Sequence, residues 1–206
     1  MKLLTEADLR AMCMPSGFAL CLPEGTALTP AAQAYCNEQK IKACTAKPEH
    51  MTHLRGEQLV PKTHPCIKLR GKLDSLEALL LQGIAQAYEL GREQCAAGLQ
   101  DCFDLAQAIM AAEVKEEPLP SWTLLGLDSA ALRHASHNPE AWAGIAYPTP
   151  HAGMGALCLA LNYLRAQVRE CELAACEAFN DRMDIIEALN RMSSAAYLLF
   201  LKELAA

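Results

Sequence analysis

Between residues 154 and 204 apolar side chains recur every three or four positions in two successive runs. Leu157, Leu161, Leu164, Val168, Cys171 and Ala175 form the first, and Ile185, Leu189, Met192, Ala196 and Leu199 the second. Residues three and four apart share one face of an α-helix, so each run is the seam of a helix packed in a bundle. The chain is 52% hydrophobic but only 5% aromatic, and its Ala- and Leu-rich apolar content favours packed helices over sheets. A polar stripe lies one residue from each seam. On the first helix it is Asn162, Arg165, Arg169, Glu172 and Cys176; on the second it is Asn190, Ser193 or Ser194, and Tyr197. Charges beside a seam are costly unless paired or turned toward a ligand. Interhelical salt bridges on an exposed flank account for such stripes equally well.

Two further long helices are expected upstream, over about 74–93 and 93–114. The first is entered through residues 62–78, where Lys62, Lys68, Arg70 and Lys72 form a Pro-punctuated basic approach and Asp74 lies in the first helical turn. Leu69, Leu73, Leu76 and Leu80 share its buried face, which puts the Asp74 carboxylate at the edge of that face, where it needs a cation. Cys95, Leu99, Cys102 and Leu105/Ala106 form the stripe of the next helix, and Pro118 and Pro120 end that stretch. Asp128 caps a short helix through His137. Residues 138–155 form a long irregular segment ending in His151, Gly153 and Gly155, whose backbone N–H groups at a helix start suit an anion. A rigid crossover held by Trp142 and Tyr147 explains the same segment.

Residues 1–48 read as a small mixed α/β appendage, separate from a bundle over 49–206. Thr5 caps a helix through Arg10, Thr29 and Pro30 open a helix to about residue 39, and 41–44 suits a strand. The net charge of −6 argues against general nucleic-acid binding. No stretch has the succession of a signal peptide or the apolar length of a membrane span, and of the ten cysteines several lie in helical patterns, at Cys95, Cys102, Cys158, Cys171 and Cys176, so they read as free thiols of a cytoplasmic protein. Cys44, His50, His53 and His64 are metal-ligand types, but without a Cys-x-x-Cys pair they read as a surface linker. His134 and His137 share a face and lack an acidic partner, so neither set is assigned a metal.

Three motifs, in order, resemble the ATP:cobalamin adenosyltransferases. They are Val60-Pro-Lys-Thr-His-Pro with Leu69-Arg-Gly-Lys-Leu-Asp-Ser-Leu-Glu-Ala, then Leu164-Arg-Ala-Gln-Val-Arg-Glu-Cys-Glu, then Ala188-Leu-Asn-Arg-Met-Ser-Ser. Met51-Thr-His-Leu, the Pro-x-x-His-x-Gly before the long helix and the segment Leu28-Thr-Pro-Ala-Ala resemble the ethanolamine-utilization branch. The resemblance implies an all-α, ferritin-like bundle of four to five helices, with the appendage, assembled as a homotrimer with sites between subunits. It implies transfer of the 5′-deoxyadenosyl group of ATP to the cobalt of cobalamin, with Mg²⁺ as counter-ion of the triphosphate.

Residue by residue, Asp74 and Arg165 match an inter-subunit ion pair of the family. Thr52, Lys62, Arg169, Glu172, Asn190 and Arg191 match residues toward ATP, and Trp142 and Tyr147 are candidates for the corrinoid. A corrinoid reductase or a B12-dependent lyase would be a partner, in the cytoplasm or at a bacterial microcompartment. The chain departs from the family at Lys47-Pro-Glu-His-Met, where a glycine-rich phosphate cradle is expected, and at Ser194, often acidic. It also has only Cys44 near the position of a Cys-Cys-x-x-Cys cluster. A non-catalytic corrinoid or nucleotide carrier, or a scaffold bundle, would share the fold without the reaction.

Overall fold

The structure is a computed structural model, which describes residues 2–12, 14 and 18–206. The chain divides into two compact units, Met1–Ile67 and Lys68–Ala206. In the first, β1 (Lys2–Leu4), α1 (Glu6–Ala11), β2 (Ala19–Cys21), β3 (Thr26–Leu28), α2 (Pro30–Glu38), β4 (Lys42–Cys44), β5 (Met51–Arg55) and β6 (Gln58–Pro61) follow in order. Strand β1 pairs in parallel with β3, and a second sheet has the order β4-β2-β6-β5. Local chemistry starts both helices as expected. Thr5 and Asp8 form a reciprocal capping box on α1, and Thr29 caps α2 ahead of Pro30. Leu4, Leu9, Leu20, Ala32, Cys36 and Ile41 form the small core.

The division expected at residue 48 falls inside this unit, because β5 and β6 hydrogen-bond as a hairpin onto β2. The segment expected as a surface linker is therefore partly strand, with Cys44 on β4 and His53 on β5. Its histidines are engaged locally: His53 Nδ1 lies 2.8 Å from the Gly56 carbonyl oxygen, and His64 Nδ1 accepts from the Cys66 N–H. Among the described residues, no three of His, Cys, Asp and Glu gather in a metal-binding group.

The second unit is built from long helices. α3 (Pro65–Glu89), α4 (Glu93–Lys115), α7 (Ala156–Ala178) and α8 (Met183–Ala205) carry the seams, with the short α5 (Ser129–His137) and α6 (Pro139–Ala143) between them. Every seam residue of the two C-terminal helices is buried, as are Leu69, Leu73, Leu76 and Leu80. α8 packs against α4, α5, α6 and α7. Accordingly it buries Leu198, Leu199, Phe200 and Leu201 in succession, and not one stripe alone. No helix among the described residues is long and apolar enough to cross a membrane.

α3 starts earlier than its sequence suggested. Pro65, whose fixed φ suits the first turn of a helix, opens it, so Asp74 lies in the third turn and not the first. The expected basic approach is thus largely helical, and its cations are spent on neighbouring helices. Lys68 pairs with Glu177 at 2.5 Å and Lys72 with Glu170 at 3.1 Å, both on α7. Arg70 makes two bonds to Glu113 of α4, from Nε at 2.5 Å and Nη2 at 3.2 Å.

A polar clasp closes the far side of the bundle. Arg182 donates from Nε and Nη2 to the two carboxylate oxygens of Asp184, each at 3.0 Å, and from Nη2 to the Glu117 carbonyl at 2.9 Å. The Leu119 N–H donates to Asp184 at 2.9 Å. The Arg182 guanidinium holds the Asp184 carboxyl down at about 2, against an ordinary 3.8. A carboxyl lowered on folding stabilises the native state in full above its unfolded value, and that stabilisation fades as pH falls through the folded one. Asp184→Asn is therefore expected to lower the urea midpoint at neutral pH, with the gap to the parent chain closing between pH 3.8 and about 2. A gap constant across that range would exclude this role for the charge.

Candidate functional site

The polar stripes of α7 and α8 meet along the most extensive helix contact of the second unit. Arg165 is half-buried, and its Nε is buried without a hydrogen-bond partner. Its guanidinium carbon stands 6.0 Å from the centroid of the Tyr197 ring, which stacks on Phe200 with centroids 6.3 Å apart. Burial pushes the Tyr197 phenol up, the nearby Tyr147 adds to this, and Arg165 opposes it. Tyr147 itself is 69% exposed at φ +23°, and its hydroxyl donates to the His137 carbonyl at 2.8 Å. About two turns earlier on α8, Asn190 Nδ2 donates to Glu172 Oε1 at 2.6 Å, joining the two stripes. Next to it Arg191 is only 8% exposed, and its Nε also lacks a partner. Arg169 is exposed.

Two buried guanidinium N–H groups without a protein partner beside one seam carry a cost that a ligand or an ordered water offsets. On α3, Asp74 is exposed and forms no hydrogen bond or ion pair among the described residues, so Asp74 and Arg165 do not pair within one chain. Glu77 stands beside Asp74; burial first, then the Asp74 charge, raises its carboxyl above the ordinary range. α3 thus presents an acidic pair lacking a cation, and α7 with α8 presents guanidiniums lacking an anion.

The two candidates in the first unit lie at the same end of the β5–β6 hairpin. Thr52 is opposite Val60, and the Lys62 N–H donates to the His50 carbonyl at 2.9 Å. Trp142 is half-buried against the bundle core with Lys202 Nζ 4.9 Å from its ring centroid. Lys202 is twelve residues beyond Asn190 on α8, roughly 18 Å along the axis at the α-helical rise. Of the two aromatic candidates, Tyr147 is the one whose charge acts on the Tyr197 phenol, and Trp142 lies by Lys202, five residues beyond Tyr197. The anion-binding expectation at the start of α7 is modified too, since His151 Nδ1 accepts the Gly153 N–H at 3.2 Å. Tyr197 stood in the sequence as a flank residue without a role. Its five-residue offset from Lys202 and its distance in sequence from Arg165 concealed the contact.

A family model described as cobalamin adenosyltransferase matches residues 43–203. The corrinoid adenosyltransferase EutT of Salmonella typhimurium is 32% identical over 176 residues, which is 82% of this chain and 63% of that protein. The corrinoid adenosyltransferase EutT of Escherichia coli strain K12 is 33% identical over 172 residues, 81% of this chain and 63% of that protein. The chain therefore spans 63% of the length of the curated relatives it matches. No solved structure matches it. With the match covering both arginine-bearing helices and the Asp74 helix, the chain belongs to the cobalamin adenosyltransferase family.

Proposed function

We propose that this chain transfers the 5′-deoxyadenosyl group of ATP to the cobalt of cob(I)alamin, in service of ethanolamine utilisation. The observation that carries the reading is the pair of guanidiniums, Arg165 and Arg191, with buried Nε atoms open beside the α7–α8 seam. In the reaction the Co(I) electron pair attacks the 5′-carbon. The Co–C bond forms, the C5′–O bond breaks, and triphosphate leaves with its electrons. Negative charge grows on the leaving oxygen, so fixed cations aimed at the phosphates lower the barrier more than they stabilise bound ATP.

We assign Arg169 and Arg191 to the phosphate chain, with Thr52 and Lys62 toward the nucleotide and Mg²⁺ entering as part of MgATP. The Asn190–Glu172 bond fixes both side chains for contact with the nucleoside. Tyr147 and Tyr197 supply an aromatic surface for the corrinoid, and Trp142 serves that surface by anchoring the crossover to the core. We read the assembly as a homotrimer in the cytoplasm, in which Asp74 of one subunit meets Arg165 of another. Each would then gain an ionic partner that the described residues of its own chain do not supply. Cob(I)alamin must come from a corrinoid reductase, and the product suits a B12-dependent lyase.

The test is an anaerobic assay of the purified chain with MgATP and chemically reduced cob(I)alamin, followed by the absorption spectrum. Adenosylcobalamin should form. Corrinoid binding without any product would replace the enzyme reading with that of a carrier.

A further inference from the structure

Strands β2 and β4 are parallel neighbours, and their register sets Cys21 directly opposite Cys44. Side chains directly opposite on paired strands project from the same face of the sheet. Both residues are half-buried, and Cys44 Sγ donates to the Leu20 carbonyl oxygen at 3.5 Å. Neighbouring strands are about 4.8 Å apart, inside the Cα separation that a disulfide spans. The Cβ atoms of such a pair must close slightly, and β4 can yield because it is a three-residue edge strand. None of the other described cysteines has this arrangement. Cys95, Cys102, Cys158 and Cys171 are buried in the helical unit, and burial raises their thiols as it raises that of Cys44. Cys176 is exposed and Cys36 is fully buried.

We propose that Cys21 and Cys44 are a redox modification site, which hydrogen peroxide closes into a reversible cross-strand disulfide. One thiolate attacks the peroxide; its S–O bond forms, the O–O bond breaks, and the sulfur becomes a sulfenic acid. The second thiolate attacks that sulfur, the S–S bond forms, and the oxygen leaves as water. Each sulfur gives up one electron, and the peroxide is reduced to two waters. The bridge ties the edge strand β4 to β2, within the same sheet whose opposite edge, β5, carries Thr52. It requires none of the adenosyl-transfer residues, so the two readings fail separately.

The fully reduced chain is exposed to graded hydrogen peroxide, quenched with N-ethylmaleimide and mapped by mass spectrometry without reduction. Cys21 and Cys44 should lose alkylation together in the monomeric chain, appear as one cross-linked peptide pair, and recover with dithiothreitol. Cys21→Ser and Cys44→Ser should each abolish the bridge. Cys36→Ser and a serine in place of Cys13, which lies outside the described residues, should both retain it. The proposal is overturned if Cys21 and Cys44 remain alkylatable once the exposed Cys176 is consumed. A bridge from either to another cysteine, or a stable sulfenic acid without a bridge, would overturn it equally.

Discussion

Asp74→Asn and Arg165→Ala are each expected to reduce the proposed adenosyl transfer by roughly two to three orders of magnitude, the range seen when one preorganised electrostatic contact is removed, while the chain stays folded. Asp74 is exposed and forms no hydrogen bond or ion pair among the described residues, and substitutions at such positions usually leave stability within about 0.5 kcal/mol. Arg165 loses its contact with the Tyr197 ring on truncation, worth about 0.5–1 kcal/mol at a partly exposed site. Activity and assembly should therefore fall where the melting temperature hardly moves. The charge-reversed pair, Asp74→Arg with Arg165→Asp, separates an ion pair between subunits from two independent roles. An ion pair predicts that the double variant recovers the oligomer in sedimentation, and recovers more rate than either single reversal. Glu77→Gln is the companion control, since it removes the neighbouring carboxyl and leaves Asp74 in place. Full activity in both single Asp74 and Arg165 variants would remove the pair from the mechanism.

How far such residues could be read from the chain depends on the range of the interaction that places them. The seams of α7 and α8 were legible because helical period and burial are one local property; the seam residues between Leu157 and Ala175 and between Ile185 and Leu199 are all buried. The caps at Thr5, Thr29 and Asp128 were legible for the same reason, each acting on a backbone N–H three residues away. The start of α3 was misplaced because Pro65 and Gly71 look like breaks in isolation, whereas a proline in the first turn costs nothing and tertiary packing carries Gly71. The β5–β6 hairpin escaped notice because its partner strand β2 lies some forty residues upstream, and short strands draw their stability from that non-local pairing. In the candidate site, the motif residues Asp74, Arg165, Asn190 and Arg191 could be named individually. Their open valences, the Tyr147–Tyr197–Arg165 cluster and the spending of Lys68 and Lys72 on α7 are facts about which helices meet. No local pattern encodes them.

Glu113→Ala is expected to cost about 3–5 kcal/mol, the usual penalty for breaking one side of a buried ion pair. That is a large share of the roughly 5–15 kcal/mol that holds a domain folded. Glu113 is fully buried, and the Arg70 side chain that donates to it twice is only 18% exposed. Truncation takes the Glu113 carboxylate away from a guanidinium that is largely desolvated near the N-terminal end of α3. Exposed pairs on the same helix give the contrast. Lys68–Glu177 has side chains 48% and 57% exposed, and removing Glu177 should change stability by less than about 1 kcal/mol. A paired replacement, Arg70→Met with Glu113→Leu, should recover most of the loss, since apolar residues of similar volume substitute for a buried pair at little or no cost. Urea denaturation of the four variants at neutral pH decides the matter. If Glu113→Ala lay within about 1 kcal/mol of the parent chain, water would have to reach Arg70 readily, and the join between α3 and α4 would rest on its apolar seam alone.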